Sequence, residues 1–238
     1  MATHAVEICN YPDLPDHFNA TVVPVDKPKD WSSFRVVKKV RWLTKVKKVG
    51  HAGTLDPMAT GLLICLVGKA TKQMETFMHL PKTYEGTIRL GEQTPSYDAE
   101  TEVSERKAVD HLDDVTIRKA CDTFMGEITQ LPPMYSAVKI GGERLYKKAR
   151  RGEVVERRPR FVTVTQFDVK PREGRDVSFV ISCSKGTYIR SIAHDLGEYL
   201  GVGGHLVALR RTAIGDFSID QAWPLEELEK QILSTREG

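Results

Sequence analysis

The chain has no apolar run longer than GLLICLV, residues 61–67, far short of the roughly 20 residues that a membrane-spanning helix needs. Its N-terminus, MATHAVEICNYPDLPDHFNA, lacks a basic region followed by an apolar core, so it does not read as a secretory signal. Cysteine is scarce. Cys9, Cys65, Cys121 and Cys183 show no CxxC or CxxH spacing, and three of them lie inside apolar runs. That pattern argues against a zinc site or a disulfide framework and points to a reducing, cytoplasmic setting. There is also no glycine-rich phosphate loop, no Ser-His-Asp order, no metal triad, no internal repeat and no low-complexity linker. One compact domain is expected.

What is present is an ordinary globular composition in 238 residues, with 40% hydrophobic and 28% charged side chains. The net charge of +3 conceals blocks of opposite sign. Residues 31–50 hold seven Lys/Arg and no acid, and residues 139–160 hold nine Lys/Arg against three Glu. Residues 92–127 reverse this, with ten acids against four bases. Such blocks suggest a basic face suited to a polyanion, nucleic acid being the commonest, with solvated helix faces as the alternative.

The periodicity predicts a strand over TVVPVDK, residues 21–27. A serine-capped helix follows over SSFRVVKKVRWLTK, with Phe34, Val37, Val40 and Leu43 inward. LLICLV reads as a buried strand and KATKQMETFMHL as a helix closed by Pro81. TYEGTIRL alternates, placing Tyr84, Gly86, Ile88 and Leu90 on one face. VTIRKACDTFMG reads as a helix stopped by Gly126. PRFVTVTQFDVK and DVSFVISCS are strands, GTYIRSIAHDLGEYLG is a helix with Thr187 as cap, and HLVALRRTAIGDFSI is extended. Helices and strands mix without regular alternation, which favours an α+β fold on a mostly antiparallel sheet.

Residues 131–160 form a long, basic, Pro- and Gly-bearing stretch with Tyr135 and Tyr146 interleaved. Loops this long are usually functional or disordered. Its cations could follow a phosphate backbone while its aromatics stack on bases, or it could be a partly helical surface excursion. KKVGHAGTLDPMATGLL, residues 47–63, contains one acid, Asp56, between Leu55 and Pro57. A lone loop aspartate is most often a turn or cap residue. Its apolar neighbours and the rigid Pro57 leave open a second reading, a nucleophile.

Six blocks occur in order: VDKP…SS, KKVGHAGTLDPMATGLL, KTYEGTIRLG, LPPMYSAVKIGGERLYKKARRG, CSKGTYIRSIAHDLG and HLVALRRTAIG. Together, from about Val23 to about Ile219, they closely resemble the TruB family of tRNA pseudouridine synthases. The resemblance implies the pseudouridine synthase fold, a mixed, mostly antiparallel sheet flanked by helices with a basic thumb-like insertion at 131–160. It implies isomerisation of uridine 55 in the T-loop of tRNA, with the base flipped into a pocket. No cofactor, no metal and no obligatory protein partner is implied, and the family precedent is a monomer.

By motif, Asp56 of GTLDP matches the catalytic aspartate. Tyr84 of KTY matches the tyrosine that stacks on the target base, and Arg190 of GTYIR the arginine that pairs with the catalytic carboxylate. Tyr188 and Leu209 match pocket residues around the uracil, and His51 matches the histidine that fills the stack vacated by the flipped base. The thumb cations Lys147, Lys148, Arg150 and Arg151, and Lys38 and Lys39 on the first helix, are expected to contact the RNA backbone. The rival expectation is a tRNA chaperone of the same fold whose catalysis is dispensable.

The expected division is an N-terminal extension, 1–20, a catalytic domain, 21–220, and a short C-terminal helix or tail, 221–238. In that tail the PUA-like domain of many family members is expected to be absent or reduced to a remnant. Departures from the family pattern are Trp31, and Glu100-Thr101 where a glycine is common.

Overall fold

The computed structural model describes residues 6–136 and 138–237; residues 1–5 of the expected N-terminal extension and Ala137 of the thumb-like stretch lie outside them. In chain order the main elements begin with β1 (Ala20–Lys27), α1 (Ser33–Thr44), β2 (Val49–His51), β3 (Thr60–Gly68), α2 (Met74–His79) and β4 (Lys82–Leu90). Then come α3 (Asp114–Asp122), β5 (Gly126–Gln130), α4 (Leu145–Arg150), β6 (Arg160–Val169) and β7 (Asp176–Cys183). The chain ends with α5 (Ile189–Tyr199), β8 (Gly204–Ile214) and α6 (Leu225–Glu237). Where one compact domain was expected, contacts divide the chain into two units, 1–84 with 209–238, and 85–208. β4 and β8 each begin in one unit and end in the other.

The first unit is built on β3. β1 pairs with it antiparallel over its whole length, from Ala20 opposite Gly68 to Lys27 opposite Gly61. Because β3 is covered on both faces, its sequence is a continuous apolar run rather than an alternation. Leu63, Cys65 and Val67 join Val23 and Val25 against α1 and α6, while Leu62, Ile64 and Leu66 meet Ala52, Ala70 and Phe77.

α1 starts where Ser32 accepts the Arg35 N–H, an N-cap that satisfies one of the helix's unpaired donors. Its buried stripe is Ser33, Val36, Val37, Val40 and Leu43. Phe34, expected inside, is 58% exposed, because the stripe is centred one position further round the helix, on Val36 and Val37.

The second unit sets β5, β6 and β7 side by side, antiparallel, with an irregularity between Val164 and Gln166. The alternation of β7 places Val177, Phe179, Ile181 and Cys183 inside, as expected. Phe179 meets Phe167 edge-on, and Phe167 meets Phe124. The carboxylate of Asp176 is held by two parallel hydrogen bonds from Arg89, 2.7 and 2.8 Å. α5 begins one residue later than expected. Tyr188 is its cap residue, and the Thr187 hydroxyl instead donates back to Ser184 O. The basic stretch 131–160 contains a short hairpin (Lys139–Ile140 against Glu143–Arg144) leading into α4.

Candidate active site

Asp56 lies in the loop from β2 to β3, and β3 explains how that loop is held. One edge of β3 is taken by β1. On the other, β2 faces Cys65 to Val67 and the end of β8 faces Thr60 and Gly61. The carbonyls of Leu62 and Ile64 fall in the gap between these two short partners. The Ala52 N–H donates to Ile64 O at 3.0 Å. Arg211 Nε donates to Leu62 O at 2.7 Å, and its Nη2 to Gly53 O at 3.1 Å. The guanidinium, 1% exposed, thus takes the place of a missing stretch of strand and ties the GHAG turn to the sheet. At Gly61, with φ +101°, an added Cβ would lie 2.3 Å from Arg211 O, so only glycine lets β8 approach this closely.

Asp56 itself opens a turn closed by the Ala59 N–H on Asp56 O, 3.1 Å. Both flanking residues are fixed by buried groups. Ser33 Oγ accepts the Leu55 N–H at 2.8 Å and donates to Leu55 O at 3.1 Å, pairing with that residue as a neighbouring strand would. Lys27 is fully buried. Its Nζ donates to Pro28 O (2.9 Å), Trp31 O (2.6 Å) and Pro57 O (3.2 Å), and the Asp30 N–H also donates to Pro57 O. Burial pushes the Lys27 ammonium down to about 8, against the pull of Asp56 and Asp30. A half-buried carboxylate therefore sits on a backbone that cannot shift without breaking buried hydrogen bonds.

The other expected residues of this unit gather around Arg211. His51 in β2 is partly buried; burial first, then the Arg211 charge, lower its pKa, with the Gly53 backbone opposing. That favours a neutral ring. Tyr84 is 8% exposed, with the Arg211 guanidinium 5.9 Å from its ring centroid. Leu209 is buried two positions before Arg211 on β8.

Tyr188 and Arg190 belong to the second unit, at the head of α5. The buried Gln130 amide accepts the Tyr188 N–H at 2.7 Å and donates to Tyr188 O at 3.0 Å. Arg160 lies over the Tyr188 ring, 5.2 Å from its centroid. Arg190 Nη1 donates to Ser96 O at 3.1 Å and Nη2 to Tyr135 O at 2.9 Å. Nη1 also stands 3.3 Å from Asp98 Oδ2, with both side chains buried.

The six expected RNA-backbone cations differ in their surroundings. Lys38 is exposed on α1, its Nζ 4.9 Å from the centroid of the exposed Phe34 ring. Lys39 is ion-paired to Glu229 of α6, so its charge is engaged within the protein. On α4, Lys147 and Arg150 are exposed and Lys148 is half-buried. Arg151 makes a two-pronged pair with Glu143, both bonds 2.8 Å, and a third bond with Glu153. Glu143 and Glu153, two of the three acids in the basic block 139–160, thus neutralise one of the cations expected to face RNA.

Sequence reading passed over Lys27, Ser33, Asp98 and Arg211. A signal existed for two of them: a lysine closing an apolar strand and an arginine in an otherwise apolar extended segment both need an explanation. Among the described residues no group of three or more His, Cys, Asp or Glu is gathered as for a metal ion, and no helix is long and apolar enough to cross a membrane.

Residues 41–189 match the model of the TruB family pseudouridylate synthase N-terminal domain. Residues 190–238 match that of the tRNA pseudouridylate synthase B C-terminal domain. The chain is 50% identical over 215 residues to tRNA pseudouridine synthase B of Thermobifida fusca, covering 87% of this chain and 73% of that protein. It is 48% identical over 220 residues to the enzyme of the same name from Opitutus terrae, covering 89% and 91%. Among solved structures it resembles a chain of a Cbf5-Nop10-Gar1 complex, with a TM-score of 0.73 and 32% identity over 92% of this chain. It spans a little more than half, 56%, of that longer chain.

Proposed function

The chain belongs to the TruB family of pseudouridylate synthases, and from that premise we propose that it isomerises uridine 55 in the T-loop of tRNA with Asp56 as nucleophile. The coarser activity, conversion of uridine to pseudouridine in tRNA, follows from the family. In that reaction the bond from ribose C1′ to base N1 breaks, the uracil turns, and C1′ bonds to C5. The C5 proton is released to solvent and N1 gains one, so nothing is oxidised or lost.

The observation that carries the assignment is the double clamp on the Asp56 turn, Ser33 on Leu55 and Lys27 on Pro57. A buried lysine and a buried hydroxyl are costly ways to hold a mere surface turn. They are a reasonable cost for holding a nucleophile in attacking geometry. Tyr84 is assigned to stack on the uracil, Tyr188 and Leu209 to line its pocket, and Arg190 to be the counter-charge of the Asp56 carboxylate. A neutral His51 suits a ring placed into the base stack of the RNA. Lys38 with its exposed neighbours on α1, and Lys147, Lys148 and Arg150 on α4, are assigned to the phosphate backbone. The enzyme is proposed to act in the cytoplasm as a monomer without a protein partner.

A tRNA transcript with tritium at C5 of its uridines tests this directly. Tritium should appear in water with the wild type, and not with Asp56→Ala or with a transcript lacking uridine 55. Tight binding without release by the wild type would refute the assignment and leave a tRNA chaperone.

A further inference from the structure

Arg190 and His194 lie four residues apart on α5, so their side chains leave the same face of the helix. Both meet the loop that carries Asp98. Arg190 reaches Ser96 O and Asp98. The His194 ring lies flat on Tyr97, centroids 3.8 Å apart and planes 7° from parallel. Tyr97 therefore stands between two of the residues that Arg190 touches.

Tyr97 has φ +63°, a left-handed conformation that a non-glycine residue keeps only when its surroundings hold it there. The hold on its backbone is visible: the Tyr97 N–H donates to Thr94 O, and Leu206 N–H donates to Tyr97 O. The carboxylate of Asp98 is likewise fixed, accepting from Ser96 Oγ at 2.5 Å and from the Glu100 N–H at 2.9 Å. None of these bonds restrains the Tyr97 side chain, and the stack does.

Near-parallel rings at this separation are in van der Waals contact face to face, so the stack joins helix to loop. Among the described residues the buried Nδ1 of His194 has no hydrogen-bond partner, and the ring's aromatic contact is the stack on Tyr97. Burial lowers the histidine's pKa, with Glu198 opposing and Arg157 assisting, and an uncharged ring gives up less hydration than a charged one when it lies against tyrosine.

We propose that His194 is a positioning residue: its stack on Tyr97 holds the left-handed turn that aims Asp98 at Arg190, and so sets the guanidinium that serves Asp56. The inference rests on the assignment of Arg190 made above.

The test uses the full chain, folded at the assay temperature, in single-turnover tritium release from tRNA. His194→Ala should slow the chemical step about 10- to 100-fold, the scale of a small misplacement of a catalytic group, while tRNA affinity changes by less than about threefold. His194→Phe, which keeps a flat ring and cannot titrate, should recover most of the rate. Tyr97→Gly, which relieves the strained φ but loses the stack, should slow the reaction as His194→Ala does. The double variant should be no slower than either alone.

An unchanged rate in His194→Ala, or a His194→Phe as slow as the alanine variant, overturns the proposal. The ¹⁵N NMR signal of the Arg190 side chain gives a readout independent of turnover. It should move in His194→Ala and return toward wild type in His194→Phe. Were the wild type itself to release no tritium, the functional assignment would fail, and the NMR comparison would still decide whether His194 positions Arg190.

Discussion

Replacing Ser33 by alanine tests whether the Asp56 loop is clamped for chemistry. The serine lies in the first turn of α1 and is 2% exposed. Alanine fits the helix at least as well, so the substitution removes one hydroxyl and little else. Two hydrogen bonds go with it, the 2.8 Å bond from Leu55 N–H and the 3.1 Å bond to Leu55 O. Leu55 is 4% exposed, so water does not readily replace the lost partner. An unsatisfied buried N–H costs about 1–3 kcal/mol. For a chain of this size each kcal/mol lowers Tm by roughly 2–4 °C, so a fall of roughly 2–12 °C is expected.

The functional effect should exceed what that stability loss explains. Leu55 precedes Asp56 directly, and a shift of its backbone displaces the carboxylate; misplacement by an ångström can cost about 100-fold in rate. Single-turnover tritium release at 20 °C, well below the lowered Tm, should therefore fall about 10- to 100-fold with tRNA affinity unchanged. Ser33→Thr, which keeps a hydroxyl, should recover part of both losses. A Ser33→Ala enzyme that melts earlier but turns over at the wild-type rate would refute the idea that this clamp serves Asp56.

Three further outcomes are expected. Lys27 has an ordinary pKa of 10.5 lowered to about 8 by burial. Between those values the unfolded chain holds the proton that the folded chain has released, so this group makes the fold more stable as pH rises across the window. Donating to Pro28 O, Trp31 O and Pro57 O at once takes all three N–H of the ammonium, and the neutral amine has only two. The kcat should therefore decline as pH passes about 8 while stability does not. A kcat that stays flat to pH 9.5 would show that the charged form is not needed.

Asp98→Ala removes one carboxylate partner of the buried Arg190 guanidinium, a loss of about 3–5 kcal/mol for a broken buried pair; chemical denaturation measures it, and a change under 1 kcal/mol would contradict the pairing. Lys38 and Arg41 on α1 and Lys45 at its C-cap are exposed. Changing all three to glutamine should reduce the slope of log affinity for tRNA against log salt by about 2–3 if each meets a phosphate, and an unchanged slope would remove α1 from the RNA interface.

Much of the fold and part of the site can be read from neighbouring residues alone. A capped period of 3.6 places α1, a seven-residue apolar run places β3, and strict alternation places β4 and β7, because these signals arise within one or two turns of chain. Phe34 marks the limit of that reading, since the buried stripe lies between two candidate faces and only packing on β1 and β3 selects Val36. The GHAGTLDPMATG block singles out Asp56 without any structure, yet says nothing of what holds it.

That was decided by tertiary structure, because each clamp joins residues far apart in the chain: Ser33 with Leu55, Lys27 with Pro57, and Arg211 with Gly53, separated by 22, 30 and 158 positions. A lysine, a serine and an arginine look like solvated side chains until folding buries them, and once buried their polar atoms must find partners. The same holds for Tyr97 and His194, which no local pattern brings together. The sequence by itself determined which elements form and which carboxylate is set apart. Only the packed chain decided which buried polar groups hold that carboxylate in place, since hydrogen bonds between distant residues leave no period in the sequence.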